Sequence, residues 1–209
     1  MSVTKNSQKI KIKFFMDYIC EWCCLGRGVL LTLQDRYKFD VEYHLVEIHP
    51  DTPENGMPFE RHLRHPERWI AQMNQLGAPY QISFLDKKIF ANTKNALILG
   101  QYAQKLGKIN IYTDLLWQAY MQEGKNISSQ ETVEEVGYRA GISPFQAHEA
   151  FIDPHYYASI LKNQCLLQNY GTDQVPTFIV NEEYMMIGAQ SATTWEKLFE
   201  TLRATATEN

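Results

Sequence analysis

The run Ile10-Lys11-Ile12-Lys13-Phe14-Phe15-Met16 passes through Asp17-Tyr18-Ile19 directly into Cys20-Glu21-Trp22-Cys23-Cys24. Ile10, Ile12 and Phe14 alternate with Lys11 and Lys13, the two-residue period of a strand, and Phe15 and Met16 extend it. Asp17 and Tyr18 break the run. Beyond Cys20, the residues Leu25, Val29, Leu30, Leu33 and Tyr37 recur at helical spacing, which predicts a helix over 21–37. Gly26 and Gly28 weaken that helix and are read as close packing against a sheet. A Cys-x-x-Cys at a strand-to-helix junction has a physical meaning. The first helical turn holds unpaired N–H groups and the positive end of the macrodipole, so a thiolate is stabilised there, and the thiolate is the nucleophile. A cysteine three residues on lies over the same turn, within disulfide range, and can resolve a mixed disulfide formed on the first.

Working outward, a second strand over 41–48 ends in His49-Pro50-Asp51-Thr52-Pro53, so the chain opens β-α-β. Pro53-Glu54-Asn55-Gly56-Met57-Pro58 reads as a linker. From there to Gly171 the pattern is helical. Asn92 to Leu106 is one expected helix, and Tyr112, Leu115, Leu116, Ala119 and Tyr120 stripe the next. Ser128-Ser129-Gln130-Glu131 and Ser143-Pro144-Phe145-Gln146 carry capping signals, and Asp153-Pro154 starts a helix containing Cys165. Strands return over 175–180 and 184–187, joined by Asn181-Glu182-Glu183. Leu198, Phe199 and Leu202 mark a last amphipathic helix, after which Ala204 to Asn209 are expected to fray.

The chain has 209 residues, 44% hydrophobic and 21% charged, enough to bury a core without disulfide staples. Its formal charge of −4 includes no basic stripe, so a nucleic-acid partner is not expected. No run approaches a membrane span, and the polar stretch Met1 to Ile12 does not read as a signal peptide. The expectation is a soluble, cytoplasmic protein without a membrane partner. Three of its four cysteines fall between positions 20 and 24, which in a reducing compartment points to chemistry rather than to a structural disulfide framework.

The other motif is Val175-Pro176-Thr177, a proline opening an apolar strand, where proline belongs only at an edge or a special turn. Together these motifs resemble the DsbA family of the thioredoxin fold. The wording of 16–23, His49-Pro50-Asp51-Thr52, Val175-Pro176-Thr177-Phe178 and Ile187-Gly188-Ala189-Gln190 is similar to its FrnE-like branch. The resemblance implies an α/β, thioredoxin-like fold with an inserted α-helical domain, the former from 9–52 and 171–204, the latter from 58–170. It implies a thiol–disulfide oxidoreductase with Cys20 as nucleophile, Cys23 as resolving thiol and Pro176 as a cis-proline facing them. Trp22, Val175 and Pro176 would position the substrate, the Val175 backbone pairing with an extended segment as an added strand does. The substrate would be a protein or small-molecule disulfide, and the reducing partner glutathione or a thioredoxin-like protein. No bound cofactor is implied, glutathione entering only as co-substrate.

The chain departs from the family in carrying Glu21 where proline is common. A carboxylate beside the nucleophile opposes formation of the Cys20 thiolate, tuning its acidity and making the couple more reducing. That suits a cytosolic reductase or isomerase. Cys24 and Cys165 are read as buried core thiols, Cys165 on a stripe with Leu161. His62 and His65, with Arg61, Arg64 and Arg68 beside them, read as a solvated face rather than a zinc site. His49 is assigned a local turn contact in preference to a proton shuttle. Trp69, Tyr80, Phe84, Trp117 and Tyr120 are assigned to the core, with one or two at the groove above Cys20. Two alternatives stand beside this reading. One is a glutathione-dependent transferase or isomerase of the kappa-class or 2-hydroxychromene-2-carboxylate isomerase type, which presents a serine where Cys20 stands. The other is a non-enzymatic thiol or zinc-binding module.

Overall fold

The computed structural model describes residues 9–59 and 65–208. In chain order its elements begin β1 (Ile10–Met16), α1 (Glu21–Leu31), β2 (Phe39–Leu45), β3 (Met57–Pro58), α2 (Pro66–Gly77), β4 (Ile89–Phe90) and α3 (Lys94–Lys105). They continue α4 (Ile109–Trp117), α5 (Gln130–Arg139), α6 (Pro144–Ile152), α7 (Pro154–Asn169), β5 (Thr177–Val180), β6 (Tyr184–Ile187) and α8 (Ala192–Glu208). The main sheet has the order β2-β1-β5-β6. β1 runs parallel to β2 and antiparallel to β5, and β5 is antiparallel to β6.

Alternation along β1 divides the residues between the two faces of this sheet. Ile12, Phe14 and Met16 face one way with Tyr43 and Phe178, and Phe14 stacks on Phe178 at 4.6 Å. On this face Trp195 of α8 meets Phe178 edge-on at 5.0 Å, and Phe199 lies over Phe39 at 5.5 Å. Gly26 brings α1 close to the sheet, since a Cβ there would sit 3.4 Å from the Phe178 ring. Gly28 is tight against something else, the Ile82 side chain after α2. On the other face Phe15 and Ile179 form a small core with Val46 and with Leu167 of α7.

The helical segment is fastened back to the start of α1. Trp117 Nε1 donates to the Tyr18 carbonyl at 3.1 Å, and the Tyr18 hydroxyl lies 3.3 Å from that of Thr113. Arg27, almost wholly buried, donates to the Tyr43 hydroxyl and to the carboxylate of Asp114, both at 2.5 Å. Caps account for several helix starts. Ser143 and Gln146 form a reciprocal capping box with Pro144 at the first turn of α6, and Asp153 caps α7.

Several boundaries differ from the sequence reading. α1 ends at Leu31, because Leu33, Gln34 and Arg36 donate to carbonyls three residues back and Tyr37 turns to donate its hydroxyl to Glu200 at 2.7 Å. β2 spans 39–45, so Val46 to His49 lie beyond its end. β5 starts at Thr177, leaving Val175 and Pro176 in the approach to the strand. Within the expected linker, Met57–Pro58 pairs with Ile89–Phe90. Ser129 rather than Ser128 caps α5. α8 continues through Ala204 to Glu208, where fraying was expected; Thr205 Oγ1 reaches back one turn to the carbonyls of Thr201 at 3.3 Å and Leu202 at 3.1 Å.

Candidate active site

Cys20 is the N-cap of α1, with extended backbone angles of φ −80° and ψ 109°. Its sulfur accepts the backbone N–H of Cys23 at 3.2 Å, one of the orphan donors of the first turn. The same thiol points to the carbonyl of Val175, with Sγ 3.7 Å from the oxygen. The Val175–Pro176 peptide bond is cis. The segment holding that carbonyl is anchored on both sides, Thr177 Oγ1 donating to the Gln174 carbonyl at 2.7 Å and Gly188 N–H to the Pro176 carbonyl at 2.7 Å. Residues 155 positions apart are thereby brought face to face.

The three clustered thiols are physically unequal. Cys20 is partly exposed, while Cys23 and Cys24 are buried, and all are unbridged. Burial pushes the Cys23 thiol well above the ordinary cysteine range, and the neighbouring Cys20 adds to the rise. Burial likewise pushes Cys24 up to about 12. Cys24 meets the expectation of a buried thiol.

Beneath the cysteines lies Asp17, fully buried. Its carboxylate accepts the N–H of Ile48 at 2.9 Å and of Ile19 at 3.4 Å, yet burial lifts its pKa to about 6. Its charge also contributes to the rise at Cys23. The sequence reading used Asp17 only as a strand breaker. The overlooked signal is an acid between an all-apolar strand end and a Cys-x-x-Cys.

Glu21 does not stand as a bare charge at the helix end. It is buried, and Lys87 places its ammonium 2.5 Å from Glu21 Oε1. Trp69 Nε1 donates to Glu21 Oε2 at 2.9 Å, and the Trp69 ring lies edge-on to Trp22 with centroids 5.7 Å apart. Lys87 is itself buried, 3.3 Å from the Met121 sulfur and over the Tyr120 ring at 5.0 Å. Lys87 was invisible in the sequence, sitting between Asp86 and Lys88 in an unremarkable polar stretch.

The remaining candidates separate. His49 is exposed; its ring meets Phe90 edge-on at 5.0 Å and its carbonyl accepts the Thr52 N–H at 3.1 Å, a local turn contact. Cys165 is exposed, as is Leu161, so the expectation of a core thiol is corrected: their stripe faces solvent, and α7 buries Tyr156, Ile160 and Leu167 instead. His62, Arg61 and Arg64 lie outside the described residues; His65 is exposed beside Glu67. Among the described residues no group of three or more His, Cys, Asp or Glu could hold a metal ion. Phe84, Trp117 and Tyr120 are core residues, and Trp69 is the aromatic that reaches the site.

A family model for the DSBA-like thioredoxin domain matches residues 11–200. The chain belongs to this family. As a member it is a DsbA-like thiol–disulfide oxidoreductase, with the Cys20-x-x-Cys23 pair in place at the start of α1. Solved structures share the fold at low identity. A Streptomyces coelicolor protein described as a probable DsbA oxidoreductase has a TM-score of 0.85 at 15% identity, covering 93% of this chain and 90% of its own. A 2-hydroxychromene-2-carboxylate isomerase gives 0.73 at 15%, over 95% and 98%. The cytosolic disulfide reductase DsbM from Pseudomonas aeruginosa, solved with GSH, gives 0.60 at 18%, over 95% and 98%. No curated protein sequence matches the chain. No helix among the described residues is long and apolar enough to cross a membrane.

Proposed function

We propose that this DsbA-like protein is a cytoplasmic disulfide reductase or isomerase of the FrnE-like branch, with Cys20 as nucleophile and Cys23 as resolving thiol. The observation that carries the reading is the Cys20 sulfur at the N-cap, accepting the Cys23 N–H and set 3.7 Å from the Val175 carbonyl. The division into 9–52 with 171–204, and 58–170 as insertion, belongs to the same reading.

The Cys20 thiolate attacks one sulfur of a substrate disulfide. The substrate S–S bond breaks, its other sulfur leaves as a thiolate that takes a proton, and Cys20 is held in a mixed disulfide. Cys23 loses its proton and attacks the Cys20 sulfur, releasing the second substrate thiol and closing Cys20–Cys23. Two electrons and two protons pass to the substrate. Asp17, with a pKa near 6 and acting on Cys23, is the group suited to take the resolving thiol's proton at neutral pH. Two glutathione thiols, or one reduced thioredoxin-like partner, then restore the dithiol and are themselves oxidised. Val175 and Pro176, lying just before β5, offer the backbone edge on which an extended substrate can pair, with Trp22 beside the nucleophile.

The test compares reduction of a protein disulfide and of a small glutathione-coupled disulfide by the wild type and by Cys20→Ser. Loss of both activities in Cys20→Ser is expected. Glutathione-dependent isomerase or transferase activity that survives Cys20→Ser would favour the alternative reading.

A further inference from the structure

Of the two residues between the cysteines, Trp22 is the apolar one, in the first turn of α1. Two residues along a helix separate Cα atoms by about 5–6 Å, so the long Trp22 side chain is within reach of a group bound at the Cys20 sulfur. Trp69, from α2, stands against it: the two half-buried rings have centroids 5.7 Å apart and meet at 78°. Trp69 Nε1 donates to Glu21 Oε2 at 2.9 Å, which satisfies its polar edge and fixes the ring. Two rings at nearly a right angle make a corner, and the ring surface still in water is apolar. A side chain entering the corner takes that surface out of water, and the fixed ring has little freedom left to lose. An extended chain advances about 3.3 Å per residue, so a substrate segment docked at Cys20 carries side chains two or three residues from its own cysteine into this range.

We propose that Trp69 is a specificity-determining residue: with Trp22 it forms a fixed aromatic corner beside Cys20 that takes an apolar side chain flanking the cysteine of an extended polypeptide substrate. The inference deepens the functional reading above and rests on Cys20 being the nucleophile. The corner also separates the two kinds of partner that meet the same sulfur. Glutathione carries no apolar side chain to fill it, so glutathione exchanges with the dithiol without using Trp69. A polypeptide disulfide with phenylalanine near its cysteine does use it. Selection between partners therefore comes from α2, outside the β1-α1-β2 unit that holds the thiols.

The experiment mixes the reduced full-length protein with an excess of each of three oxidants and follows closure of Cys20–Cys23 by acid quench and alkylation. Two oxidants are disulfide-linked dimers of a short single-cysteine peptide, one with phenylalanine and one with serine at the second position on either side of the cysteine. The third is glutathione disulfide. In each case the oxidant disulfide is reduced to two thiols as the protein dithiol is oxidised. The wild type is expected to favour the phenylalanine peptide about tenfold over the serine peptide at low concentration. Trp69→Ser is expected to remove that preference by weakening saturation while keeping the maximal rate, and to leave the rate with glutathione disulfide as it was. Trp69→Phe, which keeps a ring, retains most of the preference. Where Trp69→Ser does not fold, the two peptides compared on the wild type still decide. Equal rates for them in the wild type, or an equal loss with all three oxidants in Trp69→Ser, would overturn the proposal. If the wild type closes Cys20–Cys23 with none of the oxidants, the functional reading itself has failed.

Discussion

The first turn of α1 presents two sides of different origin. One side carries Cys20 and Cys23, facing Val175 from the approach to β5 and backed by Asp17 from the end of β1. The other carries Glu21 and Cys24, facing Lys87, Trp69 and Arg27. On the first side, the reacting sulfur is partly exposed and meets backbone groups, which neither titrate nor move far. On the second, charge meets charge away from water, and the thiol it encloses is held protonated. The difference teaches a division of labour along one helix. The sheet supplies the backbone that faces the reacting sulfur and the buried acid that acts on its partner, and the helical segment supplies the buried charge set against Glu21.

The largest expected effect lies on the sheet side. Cys20→Ser should lower disulfide reduction on the order of 10³-fold or more, since a hydroxyl at this position is not ionised near neutral pH. Coupled turnover assays would show it. Comparable activity in Cys20→Ser would erase the distinction between the two sides.

Asp17 sharpens the comparison through stability. Its folded pKa of about 6 exceeds its ordinary value of 3.8, so the folded state retains the proton to higher pH. The stability associated with this group is full below the unfolded pKa and is lost as pH rises to the folded one. The difference, about two pKa units, bounds the loss at about 3 kcal/mol. Denaturant unfolding at pH 4 and at pH 7 should show a smaller fall in Asp17→Asn than in the wild type. The variant should also slow resolution by Cys23 of the mixed disulfide held on Cys20, read by trapping that species. An unchanged pH dependence of stability would remove Asp17 from the account.

Smaller effects belong to the insertion side and the surface. Cys24→Ala deletes a buried sulfur and should cost about 1–2 kcal/mol in denaturant unfolding while leaving turnover as it was. Reduced turnover at equal stability would assign Cys24 to the chemistry. Cys165→Ser, at an exposed position of α7, should change stability by less than about 0.5 kcal/mol. In the native protein Cys165 should alkylate readily while Cys24 does not.

The sheet side was legible in the sequence for a local reason. Alternation in 10–16 and the cysteines that follow are patterns within a few residues, where periodicity and spacing speak directly, and the capping box at Ser143 made the start of α6 legible in the helical segment for the same reason. The insertion side was not. Nothing around Lys87 separates it from its neighbour Lys88, which is exposed; only the fold decides that one is buried against Glu21. Cys165 failed for a related reason. Helical spacing groups it with Leu161, but grouping does not say which stripe meets the core. The length of α1 failed because Leu33 and Tyr37 do pack inward, but from a turn rather than from a continuing helix.

The central claim is that the nucleophile at the N-cap and the buried thiol one turn on form the redox couple. It is tested most directly by oxidising the full-length protein, blocking remaining thiols by alkylation and mapping the bridge by mass spectrometry before and after reduction. The expected result is a reversible Cys20–Cys23 disulfide with Cys24 and Cys165 as free thiols. A dominant Cys20–Cys24 or Cys23–Cys165 bridge would contradict it.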